Sequence, residues 1–146
     1  MLFRSVDNAQ TNDPDNPTVT VLNGDQRVRG AEFGLTGYVT PHLELQASYT
    51  YLDGVTLSSG TAAYVGKQMP NVAKHSANLW SEYEISDDFE VGAGLIYLSH
   101  RFADSGEAAN LPSYVVWNAM VSYKVTPDVQ VQLNGLNLFK IGRAHV

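Results

Sequence analysis

The chain has 146 residues, of which 44% are hydrophobic and 16% charged, and its formal net charge is -6. A helical membrane protein is excluded, because no run approaches the roughly 20 apolar residues that a spanning helix needs. The absence of cysteine excludes disulfide frameworks and thiolate metal sites. The negative charge argues against nucleic acid, whose phosphates require a clustered basic face.

Alternating apolar and polar residues predict strands along the chain and no helix. Residues 1–4 are interpreted as the end of an earlier strand. Further strands are predicted, in chain order, at 26–39, 43–52, 75–85, 89–101, 114–125 and 129–139. Because consecutive strands usually pair with each other, the predicted fold is all-β, an antiparallel up-and-down meander.

The connections between these strands alternate between two kinds. Tight turns are predicted at 40–42, 86–88 and 126–128, where Pro41, Asp87 and Pro127 are residues that turns favour. Long polar loops are predicted at 5–25, 53–74 and 102–113. Successive connections of an antiparallel sheet lie at opposite edges, so the tight turns share one edge and the long loops share the other. That asymmetry, with strands of the roughly 9–11 residues that cross a bilayer, is typical of outer-membrane barrels.

Dividing each strand by parity separates an uncharged face from a charged face. The uncharged face includes Phe33, Leu45, Leu79, Leu95 and Val121. The opposite face carries every mid-strand charge, at Glu32, Glu44, Glu82, Glu90 and Lys124. A charge facing lipid costs roughly 2–4 kcal/mol at the bilayer midplane, so a membrane wall requires one uncharged face. A soluble β-sandwich that seals the uncharged residues between two sheets would show the same division, and this alternative stays open.

Aromatic residues of the uncharged face form two bands around an aliphatic middle, which is the arrangement of interfacial girdles. The bands consist of Tyr83, Phe89 and Tyr123 towards the turns, and of Tyr49, Tyr51, Tyr97 and Trp117 towards the loops. Gly92 and Gly94 on the charged face, and Gly30 and Gly34 in the first full strand, indicate either a close approach to the backbone or a bend.

Three segments, in order and with matching turns between them, resemble the TonB-dependent siderophore receptors of the ferric-catecholate type. The first, residues 26–33, follows the order basic-x-x-Gly-apolar-Glu-apolar from Arg27 onwards. The second, residues 66–77, contains a Pro-Asn-x-x-Lys-His run at 70–75. The third, residues 114–139, ends in Leu136-Asn137-Leu138-Phe139 and is similar to the Asn-Leu-Phe motif in the next-to-last strand of these receptors. The resemblance covers about residues 1–139.

Residues 1–139 are therefore expected to be the C-terminal part of the barrel of such a receptor, a partial wall of a ~22-stranded transmembrane β-barrel. The family usually has Asp after Asn-Leu-Phe, followed by an aromatic-rich final strand, whereas Lys140 follows here. We expect residues 140–146 to be a non-native tail, because 141–146 resemble a translated sequencing adapter. The family's signal peptide, TonB box, plug domain and earlier barrel strands would then lie outside this chain.

The resemblance also implies a function. Such a receptor is a multi-pass β-barrel of the Gram-negative cell outer membrane that imports ferric siderophores, energised by the proton-motive force. The implied partners are the ferric siderophore, TonB through the missing N-terminal part, and outer-membrane lipid and lipopolysaccharide, without nucleic acid or a cofactor. A passive porin-type channel wall and a soluble β-sandwich binding module remain alternatives.

The predicted ligand-binding residues lie mostly at the loop edge, where a polyanionic ferric chelate would arrive. They are the cations Arg27, Arg29, Lys67, Lys74 and Arg101, and the aromatic residues Tyr64, Trp80 and Tyr114, which would stack on catechol rings if they face the lumen. In the alternative interpretation, the cations bind lipopolysaccharide phosphates or the loop acids Asp53, Asp104 and Glu107.

The chain is predicted not to be an enzyme and to hold no metal. Its histidines lack the spacing of a metal site, and no nucleophile motif accompanies them. They are His42, His75, His100 and His145.

Overall fold

The computed structural model describes residues 2–12, 18 and 20–141. The strands are β1 (Leu2–Asn12), β2 (Thr20–Thr40), β3 (Leu43–Ser58), β4 (His75–Ser86), β5 (Phe89–Leu98), β6 (Arg101–Phe102), β7 (Asn110–Leu111), β8 (Tyr114–Thr126) and β9 (Val129–Ile141). One 3-10 turn at Ala62–Tyr64 is the helical element in this part of the chain. None of the described residues belongs to a helix long and apolar enough to span a membrane.

Seven strands form one sheet in the order β1-β2-β3-β4-β5-β8-β9, and β6 pairs with β7 in a separate two-stranded sheet. Sheet neighbours are also chain neighbours, apart from β5 and β8, between which the β6–β7 hairpin is inserted. The all-β, antiparallel meander predicted from the sequence is therefore confirmed.

The chain divides into two units. The first comprises Met1–Glu32, Thr50–His75 and Ser99–Pro112, and the second Phe33–Tyr49, Ser76–Leu98 and Ser113–Val146. The two-residue turns at 41–42, 87–88 and 127–128 all belong to the second unit, whereas the long connections after β1, β3 and β5 belong to the first. The tight turns and the long connections therefore belong to different units.

In the second unit, the register places apolar residues in rows across the strands. Leu79 of β4 pairs with Leu95 of β5, which pairs with Trp117 of β8. Three positions along each strand, the opposite face carries a row in which Glu82 pairs with Gly92, and Gly92 with Met120. The parity that divided the sequence into two faces therefore divides the sheet in the same way.

The apolar side chains of the second unit are exposed rather than buried. Leu133 is 74% exposed, Phe33 64% and Val121 41%. Within the described residues, Met120 of the polar face is the one buried hydrophobic side chain, and its neighbour Ser122 is 2% exposed. A water-soluble domain would bury such side chains, so the sandwich alternative, which required Phe33 and Val121 to be sealed in a core, is wrong.

The strands of the first unit extend further than the polar composition predicted. β1 and β2 pair from Leu2 with Gly30 to Asn12 with Thr20, so most of the predicted 5–25 loop is a hairpin. β3 likewise continues to Ser58. Polar residues lower the hydropathy of a segment but still form a backbone ladder in water, which is why composition misplaced these strand ends.

The strand predicted at 89–101 was also wrong at its end, because β5 stops at Leu98. The backbone N–H of Ser99 donates to the carbonyl of His75 at 2.9 Å, and Arg101 then pairs with Leu111 in the β6–β7 hairpin. The predicted tail is only partly described: β9 ends at Ile141, and residues 142–146 lie outside the described residues.

The Asn-Leu-Phe segment forms a bulge in β9. Trp117 of β8 pairs with Phe139, but Ala119 pairs with Gly135, so β9 contains extra residues between the two pairs. Asn137 sits there with a φ of 55°, a left-handed conformation that asparagine tolerates better than most residues. Its N–H donates to Oδ1 of Asn118 at 2.9 Å.

Candidate functional site

The Pro-Asn-x-x-Lys-His segment joins two long loops of the first unit, the one after β3 and the one after β5. Asn71, with a φ of 59°, donates its N–H to the carbonyl of Phe102 at 2.8 Å. The carbonyl of Lys74 accepts from the N–H of Leu52 at 2.9 Å. At the end of the segment, the His75 ring lies 5.3 Å from the Tyr51 ring, measured between centroids. The residues of this segment therefore stabilise the loops through backbone hydrogen bonds and a ring contact.

The tip of the β6–β7 hairpin is organised by Asp104. Its carboxylate accepts the N–H groups of Gly106 at 2.8 Å, Ala108 at 3.2 Å and Ala109 at 2.6 Å. These backbone donors, Ala109 first and Ala108 next, hold the pKa of Asp104 below its ordinary value, and the charge of Lys67 acts in the same direction. The tip is therefore fixed by an ionised acid.

Two hydrogen bonds connect this tip to the loop after β3. Nζ of Lys67 donates to the carbonyl of Gly106 at 2.5 Å, and the N–H of Gln68 donates to Oε1 of Glu107 at 2.8 Å. Gln68 is buried, and its side-chain amide donates to the carbonyl of Val72. We call the four residues Lys67, Gln68, Gly106 and Glu107 the loop clasp.

Tyr64 packs beside the loop clasp. A Cβ added to Gly106 would lie 3.6 Å from a ring carbon of Tyr64, so the ring rests close to the hairpin backbone. The structure thus brings together Tyr64 and Lys67 of the predicted ligand-binding residues. Lys67 also contacts the backbone next to Glu107, one of the acids raised as alternative partners for the cations.

The predicted arginines differ in their surroundings. Arg27 of β2 and Arg101 of β6 are half-buried, whereas Arg29 is exposed. Nε of Arg27 and Nη1 of Arg101 are buried atoms that have no hydrogen-bond partner among the described residues. A buried guanidinium N–H without an acceptor is unfavourable, so both atoms are suited to receive an anion. Lys74 is half-buried and contributes the backbone contact described above.

The remaining predicted residues, Trp80 and Tyr114, belong to the second unit. Trp80 lies on the polar face, where its indole covers the backbone at Gly92 and Gly94; a Cβ on Gly92 would come within 2.8 Å of the ring. Its Nε1 donates to Oε1 of Glu82 at 2.6 Å. The close approach predicted for these glycines is therefore observed at Gly92 and Gly94, and also at Gly30, but not at Gly34, which has nothing within 4 Å. Tyr114 begins β8 and pairs with Leu98.

Sequence reasoning did not find Gln68, which contributes a backbone donor to the loop clasp. Every residue except proline has a main-chain N–H, so the residue type at position 68 does not indicate that this group forms a contact. In addition, Gln68 and Glu107 are 39 positions apart. In the part of the chain that the structure describes, no three His, Cys, Asp or Glu residues are grouped so that they could hold a metal ion.

A single antiparallel sheet with an exposed apolar face, a polar opposite face, short turns and long loops is the wall of an outer-membrane β-barrel. Residues 3–138 match the family model described as TonB dependent receptor-like, beta-barrel. The chain belongs to this family.

Individual relatives agree with this assignment. The chain is 37% identical over 132 residues to the probable TonB-dependent siderophore receptor PiuA of Acinetobacter baumannii, covering 84% of this chain and 18% of that protein. It is 32% identical over 121 residues to the catecholate siderophore receptor Fiu of Escherichia coli K12, covering 80% of this chain and 16% of that receptor. The crystal structure of PiuA from Acinetobacter baumannii superposes with a TM-score of 0.80 at 35% identity, over 93% of this chain and 20% of that one. The chain thus spans about a fifth of the length of these relatives.

Proposed function

We propose that this chain is part of the wall of an outer-membrane receptor that imports ferric siderophores of the catecholate type, energised through TonB by the proton-motive force. The observation that carries the proposal is family membership over residues 3–138, together with relatives named as siderophore receptors. In this proposal the chain supplies wall strands and extracellular loops, and it catalyses no reaction.

The two arginines with unpartnered nitrogens support an anionic ligand. Ferric catecholates are polyanions, and guanidinium groups bind oxygen anions through short, charge-assisted hydrogen bonds. Arg27 and Arg101 therefore remain proposed ligand contacts, and Tyr64 of the same unit remains a proposed stacking residue. Arg29 and Lys74 are proposed as further cations at the loops, and Trp80 and Tyr114 as stacking residues.

The surroundings of the wall form part of the same proposal. The exposed apolar face would contact outer-membrane lipid, and loop cations that do not meet the chelate would bind lipopolysaccharide phosphates. Residues 1–139 would be part of a ~22-stranded barrel, residues 140–146 would be non-native, and the TonB contact would be made by a part of the receptor outside this chain.

The test is growth of a Gram-negative host that lacks its own catecholate receptors and expresses the complete gene carrying this chain. With the ferric complex of 2,3-dihydroxybenzoate as the iron source, we expect growth when TonB is present and none when it is deleted. Growth without TonB would instead favour the passive channel, and no growth in either strain would contradict the siderophore assignment.

Purified receptor tests the arginines. Arg101→Gln removes the guanidinium group and its positive charge. We therefore expect the dissociation constant for the ferric complex to rise about tenfold or more. Lys124→Gln, a change at the turn end of β8 in the second unit, is the matched loss of one positive charge and should leave the dissociation constant unchanged. Equal effects of the two variants would mean that the arginine acts only through net charge.

A further inference from the structure

The loop clasp carries opposite charges that a direct ligand-binding role does not explain. Lys67 already donates from Nζ to the carbonyl of Gly106 at 2.5 Å. Glu107 is an acid, and an acid at a surface that receives a polyanionic chelate would repel it. Its Oε1 instead accepts the N–H of Gln68 at 2.8 Å. Both side chains are thus engaged with the backbone of the other loop.

The hairpin side of the clasp is held in a fixed conformation. Glu107 has a φ of 58°, a left-handed conformation that is unfavourable for a non-glycine residue and persists only where neighbouring groups enforce it. Asp104 enforces it from one side through three backbone N–H groups, and Gln68 from the other. The tip conformation therefore depends on a contact with the loop after β3.

The opposite side of the clasp is similarly tied. Gln68 forms a bridge with Val55 at the end of β3, and Met69 donates its N–H to the carbonyl of Gly54 at 3.0 Å. A Cβ on Gly54 would meet Val72 and Met69 at 3.2 and 3.4 Å, so this segment packs closely against β3. Displacing Gln68 would loosen both this packing and the hairpin tip.

We infer that Lys67 and Glu107 are positioning residues that couple the two long loops, so that the loops open and close together and hold Tyr64 and Arg101 in place for the chelate. The inference rests on the proposed function for its ligand, but not for the coupling itself. It reassigns Lys67, which the sequence suggested as a ligand contact, to the support of its neighbours.

Amide hydrogen exchange in the complete receptor, purified in detergent, tests the coupling without any ligand. Two amides report on the two loops: Met69, bonded to the Gly54 carbonyl, and Ala103, bonded to the Ala109 carbonyl at 2.8 Å. Neither bond includes an atom of the four clasp residues. If one opening event exposes both loops, any change that favours it accelerates both amides by the same factor.

Lys67→Met keeps the side-chain stem but removes the donor, and Glu107→Ala removes the acceptor. Each is expected to accelerate exchange at both reporter amides equally, by about tenfold, the effect of losing one charged hydrogen bond. Glu107→Gln keeps an oxygen acceptor but loses the charge, so it should accelerate exchange at both amides less than Glu107→Ala does. Lys124→Met is the matched control, because Nζ of Lys124 also donates to a backbone carbonyl, that of Asp87 at 3.0 Å, within the second unit.

The coupling is overturned if Lys67→Met accelerates only Met69, if Glu107→Ala accelerates only Ala103, or if neither variant differs from Lys124→Met.

The dissociation constant for the ferric complex of 2,3-dihydroxybenzoate then separates positioning from contact. Positioning predicts that Lys67→Met and Glu107→Ala weaken binding by similar factors, whereas a much larger effect of Lys67→Met would overturn the positioning role. If the unchanged receptor does not bind the complex, the proposed function fails, and the exchange result still decides whether the loops are coupled.

Discussion

Leu133 and Gln132 are adjacent on β9, and substitutions at these two positions distinguish a membrane wall from a soluble sheet. Leu133, 74% exposed, belongs to the apolar face and pairs with Val121, whereas Gln132 belongs to the polar face and pairs with Ser122. In water, Leu133→Arg at so exposed a position would change the free energy of unfolding by less than about 0.5 kcal/mol. In lipid the same change places a charge among acyl chains.

The depth of Leu133 sets the size of the effect. It lies five residues beyond Asp128, the last residue of the turn before β9. At about 3.3 Å per residue and a strand tilt of about 40°, it stands about 13 Å from the turn, close to the middle of an apolar band about 25 Å tall. We therefore expect Leu133→Arg to lower the free energy of unfolding by about 2–4 kcal/mol, the range for arginine near the midplane.

The measurement is urea unfolding of the complete receptor in phospholipid vesicles, with Gln132→Arg as the control that adds the same side chain to the other face. The control should remain within about 0.5 kcal/mol of the unchanged receptor. If the two variants unfold alike, or if Gln132→Arg is the more damaging, the assignment of the lipid-facing side is refuted.

Three further changes test the packing and the loops. Gly94→Ala should lower the free energy of unfolding by about 1–3 kcal/mol, because the added methyl group meets the indole of Trp80. Gly34→Ala is the control: a methyl group there has nothing within 4 Å, so in the same urea assay the free energy of unfolding should change by less than about 0.5 kcal/mol. Asn118→Ala should cost about 1 kcal/mol, because it leaves the N–H of Asn137 without its acceptor, and Asn118→Asp, which keeps an oxygen, should restore most of the loss. Because backbone donors lower the pKa of Asp104, ionisation stabilises the folded tip fully above the ordinary pKa of aspartate, and this stabilisation is lost as the pH falls through the lowered pKa of the folded state. The protection factors of the amides in residues 103–109, which correct for the intrinsic pH dependence of exchange, should fall over that acidic range, and Asp104→Asn should remove this dependence. Protection factors that do not change with pH in the unchanged receptor would contradict this.

The faces of the sheet could be predicted from sequence because side-chain alternation is built into every strand. Leu79, Leu95 and Trp117 were placed on one face by parity alone, and they lie in one row of the register. The tight turns could also be predicted from sequence, because Pro41 and Pro127 restrict the backbone whatever surrounds them.

Strand ends and the loop clasp were not predictable in the same way. In polar segments, hydropathy does not distinguish strand from loop, so the β1–β2 hairpin and the extension of β3 to Ser58 were missed. Arg27 and Arg29 looked equivalent two positions apart, but Arg27 is half-buried and Arg29 exposed. The contact between Gln68 and Glu107 depends on a backbone donor in one loop and a side chain in another, and nothing in either segment alone specifies it.

The outward placement of the apolar side chains has a thermodynamic consequence. Most globular domains derive their main driving force from removing such groups from water, but here Phe33 and Leu133 remain on the outside after the sheet has formed. The favourable transfer occurs only when the surrounding medium is hydrocarbon. The free energy of folding is therefore a joint property of polypeptide and bilayer, and a denaturation midpoint for this sequence has meaning only with the lipid composition specified.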